Sequence, residues 1–566
     1  MNQSKILLCL MFGIFYISGS NITLQELHRV ISKAYPEIIF NNKSNRSNPD
    51  VALATWKLDS MELPLNRFIL GTLYNIILDK DPNKTKRAKV RFFGEDRSIS
   101  SEEKEFWNKR DLFACDALTK ILGKPITPNL TPRIALISSG GGCRATISLA
   151  GFANKLNQLG LLDAVHVLGG VSGASWLVFS WLASKKPYAE FYPEFVERVL
   201  HGILGGSPEN MLTNITSFSG TMAECFLRRL AFHEIPTTID LYGLLLGLHF
   251  FDQKTKKNYA FSTLSSHRPF VAKGTVPLPI GTAIVQHDGK PSDEVEFNPF
   301  ETINYGLKAG CPSFGFGRDF YNGKSMSKHP AQTLGFTMGI CGSAFSQKVK
   351  NYIPSIKTFL KSPFLNPILD VLAKTPIGES RLFPAYIRNY TRGMNDSPDK
   401  NTLFHAYIDA GLHYDAPMLP VLNPDRNIDI IILIESGSNV NWSGSLKVLH
   451  DIAQVKGYPF PKIDLEIAQK NTYSVFSDGP GSNAPIVIYV PLIKNPRYSE
   501  SFDPWSLIYP YQNNFMNMLN FSYTRDQYNL LAGLFETAAE ELYSELKELI
   551  EAAITKKAQG IRPQNT

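Results

Sequence analysis

Cysteine is scarce in this chain of 566 residues, and none of it is spaced for metal. Cys9 falls in the first twenty residues; Cys115, Cys143, Cys225, Cys311 and Cys341 remain, widely separated. Five such residues are no disulfide scaffold, and their odd number leaves at least one thiol free or paired elsewhere. No C-x-x-C or His-cluster spacing suggests zinc, so neither metal nor other cofactor is expected. The glycine turn at 139–144 has neither G-x-G-x-x-G nor G-K-[ST], which demotes nucleotide binding. No internal repeat is present. Charge excess is also small: the formal +7 gives no argument for nucleic acid and only mildly favours an anionic lipid surface. What remains, 43% hydrophobic and 19% charged, is a globular composition long enough for one elaborate domain or two.

The N-terminus reads as a processing signal. Lys5 is followed by an apolar run from Ile6 to Ile17, too short for a comfortable membrane span. Ser18 and Ser20 place small residues at −3 and −1 of a cut before Asn21. Ten Asn-x-Ser/Thr sequons follow, at Asn21, Asn42, Asn45, Asn83 and Asn129, then Asn214, Asn389, Asn395, Asn441 and Asn520. The expectation is a glycosylated protein, secreted or held in the secretory lumen. The ten residues 557–566 read as a polar tail with no hydrophobic stretch for a glycolipid anchor.

Residues 21–95 read as an N-terminal extension carrying a basic run, Lys84 to Lys89, either a solvated segment or a contact for anionic head groups. From Ile134 strands and helices alternate. Ile134–Ile137, Val165–Leu168, Ala406–Ile408, Ile428–Ile434 and Ile486–Val490 are strand-like, and Ala145–Leu159 and Ser175–Ser184 have helical character. This predicts an α/β fold: a three-layer sheet with helices on both faces. Thr524 and Gln527 open a long closing helix with a capping-box pattern. Residues 190–400 include cap or lid elements. Within them Leu241–Phe251 reads as a core helix, as the lining of an acyl tunnel or as a bilayer contact, and Ile353–Ala373 as an interfacial lid or a proline-broken surface helix.

Three stretches carry chemistry. Ser172 follows a strand and precedes a helix, with small residues Gly170 and Ala174 at −2 and +2, as a nucleophile elbow needs. Ser175 is the poorer candidate, with Leu177 at its +2 position. Ser139–Arg144 also joins a strand to a helix, and its glycines let backbone amides converge on an oxyanion at a helix N-terminus. Asp409 follows a strand and precedes Ala410-Gly411. Only His413 and His450 come later, and His450 sits in a helical run, so a Ser-Asp pair is preferred to a triad. A carboxylate is a weak base and needs close approach and a dry site.

At these residues the chain resembles the catalytic domain shared by cytosolic phospholipase A2 and fungal phospholipase B (lysophospholipase). Further likeness lies in Ser101–Arg110, Glu296–Glu301, Met338–Ser346 and Pro459–Asp464, and coverage runs from about 100 to 553 within a catalytic domain of 96–556. The resemblance implies a patatin-like fold, Ser172 as nucleophile, Asp409 as its base and Gly141 and Gly142 as oxyanion amides. It also implies Arg144 and Arg426 as phosphate-binding arginines, a guanidinium being a planar fork suited to phosphate. The implied substrates are phospholipids and lysophospholipids met at a membrane or micelle surface, hydrolysed through an acyl-enzyme. Residues before 95 leave no room for the calcium-binding domain of the cytosolic enzymes, so calcium is not implied. Cys143 stands where those enzymes carry Phe, and beside the oxyanion turn it is expected to be open to thiol reagents. The rival readings are a patatin-like acyl hydrolase of neutral lipids and a lipid-binding protein without turnover.

Overall fold

The computed structural model describes residues 81–93, 99–201, 237–287, 290–343, 384–437, 444–508, 514–518 and 520–561, with isolated residues between them. Fourteen strands are described: β1 (Arg91–Phe92), β2 (Ile134–Ser138), β3 (Val165–Val171), β4 (Leu278–His287), β5 (Lys290–Phe297), β6 (Glu301–Asn304), β7 (Ala309–Pro312), β8 (Phe320–Tyr321), β9 (Lys324–Ser325), β10 (Ala385–Arg388), β11 (Phe404–Asp409), β12 (Ile430–Glu435), β13 (Ser474–Phe476) and β14 (Ile486–Pro491). Twelve form one sheet in the order β1-β7-β6-β5-β4-β3-β2-β12-β14-β13, with β11 also pairing β4 and β10 pairing β11. The centre from β4 to β14 is parallel and the flanks are antiparallel. Every residue of β2, β3, β12 and β14 is buried. That is why they read as continuous apolar runs: both faces are covered by helices.

The helices that bear on the site are α1 (Ser101–Leu122), α2 (Cys143–Gln158), α3 (Gly173–Ser184), α4 (Thr238–Phe250), α5 (Leu334–Cys341) and α6 (Arg525–Ala558). Reciprocal Thr524 and Gln527 bonds cap α6, as the sequence pattern predicts. It packs along α2, where a Cβ on Gly151 would lie 2.5 Å from the Ala532 carbonyl oxygen, so only glycine permits the approach. The Leu241–Phe251 stretch is resolved in favour of a core helix. Residues 243–250 of α4 are buried, and its Gly243 meets α5 so closely that a Cβ would lie 2.4 Å from the Gly335 carbonyl oxygen. Most of Ile353–Ala373 lies outside the described residues, as do the expected signal segment 1–20 and Cys225.

Both ends of the described chain are tied to the body of the fold. Within the expected extension β1 pairs with β7, and Arg91 grips Glu301 at 2.7 Å. At the end of α6 Lys557 is buried, and its Nζ donates to Thr131 O at 2.6 Å and to Asp429 Oδ2 at 2.7 Å. Several sequons are corrected. Asn389 is buried, and its amide donates to Asp399 O and Thr402 O, leaving no N–H for a glycan. Asn520 donates likewise to Phe515 O and Ser522 O, and Asn83 is buried. Asn129 and Asn395 are exposed; Asn21, Asn42, Asn45, Asn214 and Asn441 lie outside the described residues. Of the basic run, Lys86, Arg87 and Lys89 are exposed, with Lys89 directly opposite exposed Lys324.

Candidate active site

The site is assembled on β4, which serves two strands along one edge. Its first half pairs in parallel with β3, ending at Val171 opposite Thr282. Its second half pairs antiparallel with β11, which arrives from the other direction and ends with Asp409 opposite Ala283. Thr282 and Ala283 are consecutive, so β3 and β11 meet end to end. Ser172, the residue after β3, and Asp409, the last of β11, are thereby brought together. Val171, Ile284, Ile408 and Ala410 form a small apolar cluster around the joint.

Ser172 has φ 50° and ψ −124°, a conformation that a side-chain-bearing residue adopts only under constraint. The constraint is steric. A Cβ on Gly170 would lie 2.5 Å from the Ala174 carbonyl carbon, and one on Gly173 would lie 1.9 Å from the Gly142 carbonyl oxygen. Small residues on either side let the chain reverse into α3 and leave Ser172 partly exposed. Ser175 is wholly buried and donates to Ser172 O at 2.6 Å, a structural bond.

The glycine turn faces this elbow. Gly142 precedes α2 with φ 64°, and Gly141 has φ 144°. Neither amide finds an acceptor among the described residues. The turn is braced from β12: Ser139 N donates to Ile434 O at 2.9 Å and Ser139 Oγ accepts from Ser436 N at 2.7 Å. Thr146 Oγ1 bonds Gly173 O at 2.6 Å, locking α2 to α3. Asp409 is fully buried, and its Oδ1 accepts from Gly411 N at 2.8 Å. An elbow serine, two amides with no acceptor among the described residues and a dry carboxylate are the parts of an acyl-transfer site.

The two arginines part company. Arg144, 1% exposed, donates from Nε to Ser436 O at 2.8 Å and from Nη1 to Met516 O; its Nη2 lies toward Gly141, 3.3 Å from where a Cβ there would stand. These donors tie the start of α2 to Ser436, whose own N–H is held by Ser139 Oγ, and to Met516. The phosphate role that the resemblance implies for Arg426 does not fit. Arg426 is 0% exposed, and its five N–H donors go to Glu103, Glu296 and the Pro420 carbonyl at 2.7–3.2 Å. No donor is left for a ligand. Cys143 is corrected as well: it is wholly buried, and burial pushes its thiol well above the ordinary range, the opposite of a reactive cysteine. His450 lies beside Asp451 on its helix, with its ring against Phe460, and His413 is exposed.

Sequence reasoning missed two carboxyls. Asp415 Oδ1 accepts Gly140 N–H at 3.0 Å, and Glu435, at the end of β12, accepts Gly437 N and Ser445 N. The available signal was the position of Glu435 at the carboxyl end of a parallel strand, where sites of such sheets gather. Asp415 had only its nearness to Asp409 in sequence.

Comparisons with known proteins bear on the family and on the fold. The lysophospholipase catalytic domain model matches residues 134–451. Mouse cytosolic phospholipase A2 zeta is 25% identical over 472 residues, covering 69% of this chain and 53% of the relative. The human zeta protein is 24% identical over 468 residues, covering 70% and 53%. The chain thus spans about half the length of these curated relatives. Human GIVD cytosolic phospholipase A2 superposes with a TM-score of 0.66 at 19% identity, over 82% of this chain and 66% of that one, a likeness of fold. The same human protein in complex with methyl gamma-linolenyl fluorophosphonate gives 0.62 at 20% identity, over 83% and 66%. With the family match spanning more than half of its residues, this chain belongs to the lysophospholipase catalytic domain family.

Proposed function

We propose that this chain is a serine esterase of lysophospholipids and phospholipids, working through Ser172 and Asp409. The observation that carries the reading is the β4 register, which sets the elbow and the carboxylate at neighbouring positions. Ser172 Oγ attacks the ester carbonyl while its proton passes to Asp409. The Gly141 and Gly142 amides receive the oxyanion, and Asp409 returns the proton to the departing glycerol oxygen. Water, deprotonated by the same carboxylate, then releases the fatty acid and restores the serine. A fluorophosphonate probe tests this: labelling lost in Ser172→Ala supports the dyad, and an unlabelled parent protein defeats it.

A second enzyme reading, an acyl hydrolase of neutral lipids, is favoured by the burial of Arg426, which removes one of the two expected phosphate ligands. Comparing lysophospholipid with monoacylglycerol as substrates separates the two. We also place the mature protein in the secretory pathway, on the strength of residues 1–20 and the exposed sequons at Asn129 and Asn395. A mature N-terminus other than Asn21, or no glycan, would overturn that. Contact with an anionic lipid surface is assigned to the strip of Lys86, Arg87, Lys89 and Lys324, beside exposed Tyr321 and Met326. Vesicle binding that is insensitive to salt and to anionic lipid would refute it.

A further inference from the structure

Beside the serine stands a carboxyl that the dyad does not use. Asp415 is half-buried, and its Oδ1 accepts Gly140 N–H at 3.0 Å. A Cβ on Gly140 would lie 3.0 Å from Asp415 Oδ1 and 3.0 Å from Ser172 Cβ, so carboxyl, turn and serine meet at one point. A Cβ on Gly411 would lie 3.2 Å from Asp409 Oδ1 and 3.4 Å from Asp415 Oδ1. The other oxygen, Oδ2, packs against Gly437, where a Cβ would lie 2.5 Å from it and 2.9 Å from Glu435 Oε1. Asp415 thus ties together the turn after β2, the turn after β11 and the end of β12.

We propose that Asp415 is a positioning residue for acyl transfer: its carboxyl fixes Gly140 and so aims the Gly141 and Gly142 amides at the oxygen developing on the Ser172 adduct. The proposal rests on the reading of Ser172 as nucleophile. An oxyanion donor is effective only when held in place before the charge forms, and Gly140, whose N–H is held by Asp415, is the residue through which that placement can be imposed.

The charge state follows from the surroundings. The charged groups facing Asp415 are Glu435 from β12, Asp409 from β11 and Arg144 from α2. Burial and then Glu435 push its pKa well above the usual carboxylate range, with a smaller push from Asp409, and the opposing pulls of the Gly140 amide and Arg144 do not offset them. As a neutral acid it still accepts the Gly140 N–H and adds no negative charge where an oxyanion must form. Ionised, it repels that oxyanion. Activity should therefore be full while Asp415 holds its proton and should decline as rising pH removes it.

The experiment is a pH–rate profile of kcat and KM for lysophospholipid hydrolysis by the full chain, for the parent, Asp415→Asn and Asp415→Ala. Asparagine keeps the acceptor without the charge. It is expected to retain kcat within about threefold at neutral pH and to lose the alkaline decline. Alanine abandons Gly140 and is expected to lower kcat on the order of 10- to 100-fold with KM little changed, below the loss from deleting an oxyanion donor outright. A purely structural residue would alter the melting temperature and leave the profile of the folded enzyme alone. An alkaline limb in Asp415→Asn like the parent's, or a parental kcat in Asp415→Ala, overturns the proposal. Should the alanine variant not fold, the asparagine profile decides. Fluorophosphonate labelling separates the two levels: an unlabelled parent removes the nucleophile reading and this inference with it, whereas a labelled parent with variants of unchanged profile removes this inference alone.

Discussion

Replacing Arg426 by alanine should unfold the enzyme more readily without changing which lipids it prefers. The guanidinium is enclosed by Glu103 and Glu296, both wholly buried, and these carboxylates also accept from Trp107 Nε1 at 3.1 Å, Asn298 Nδ2 at 2.6 Å and Tyr305 O–H at 2.6 Å. Those neutral donors stay in the variant, but two negative charges lose the cation that pairs with both among the described residues. Breaking one buried ion pair costs about 3–5 kcal/mol. One of the two carboxyls can take up a proton, which holds the total near the upper end of that range. In a body of this size an unfolding entropy of about 2 cal/mol/K per residue converts that loss to a Tm drop of roughly 4–5 °C. Arg426→Lys, offering three donors in place of five, should fall between. Combining Arg426→Met with Glu103→Gln and Glu296→Gln removes all three charges and should recover much of the loss. The assays are thermal melting and the ratio of lysophospholipid to monoacylglycerol hydrolysis per folded molecule. A variant that melts like the parent while losing only phosphate-bearing substrates would refute the reasoning and restore Arg426 as a ligand.

Three further outcomes are expected. Ser172→Gly should abolish fluorophosphonate labelling yet raise stability by about 1 kcal/mol, because glycine adopts φ 50° without strain; a destabilised variant would contradict the strained elbow. Gly173→Ala should lower kcat on the order of 100-fold with an unchanged circular-dichroism spectrum, since its Cβ would sit 1.9 Å from Gly142 O and push the glycine turn away from Ser172; parental activity would show the turn to be pliable. His166, which accepts from Ile134 N through Nδ1, is held neutral chiefly by burial, its pKa lowered from 6.5 to about 4. A depressed folded-state pKa means that its contribution is intact above pH 6.5 and is lost between 6.5 and 4, about 3 kcal/mol in all. His166→Leu should flatten the pH dependence of the denaturation midpoint in that window, and an equal slope in both proteins would reject the assignment.

The legible parts of this molecule are those written locally. The apolar strands β2, β3, β12 and β14, the Thr524 cap of α6, the elbow at Ser172 and the glycine turn each depend on residues within a few positions of one another. β4 was not legible, although the site is built on it. Its sequence contains Pro279 and Gly281, both unpromising in a strand, and Gly281 is needed because a Cβ there would lie 2.5 Å from the Phe179 ring. That ring comes from α3, so the reason for the glycine is tertiary. The same holds for Arg426, whose surroundings are supplied by Glu103 and Glu296, 323 and 130 residues away. A motif match carries the residue type to the position, but the exposure of its donors depends on partners that no local pattern contains. Asp415 gains its place only once β11 and β12 are laid against the turn after β2.

The butt joint on β4 makes strand register a functional variable. Side chains alternate along β11, so a slip of one residue would turn Asp409 to the opposite face of the sheet, and a slip of two would displace it about 7 Å along the strand. Hydrogen bonds of the ladder are nearly indifferent to such a shift. What resists it is Tyr407, two positions earlier on the same face, wedged between Phe297 and Phe316 with ring centroids 6.2 and 5.6 Å away. An aromatic contact that touches neither serine nor carboxylate thus acts as the gauge that sets the spacing between them, and substitutions there should alter turnover by misalignment while every residue of the site remains present.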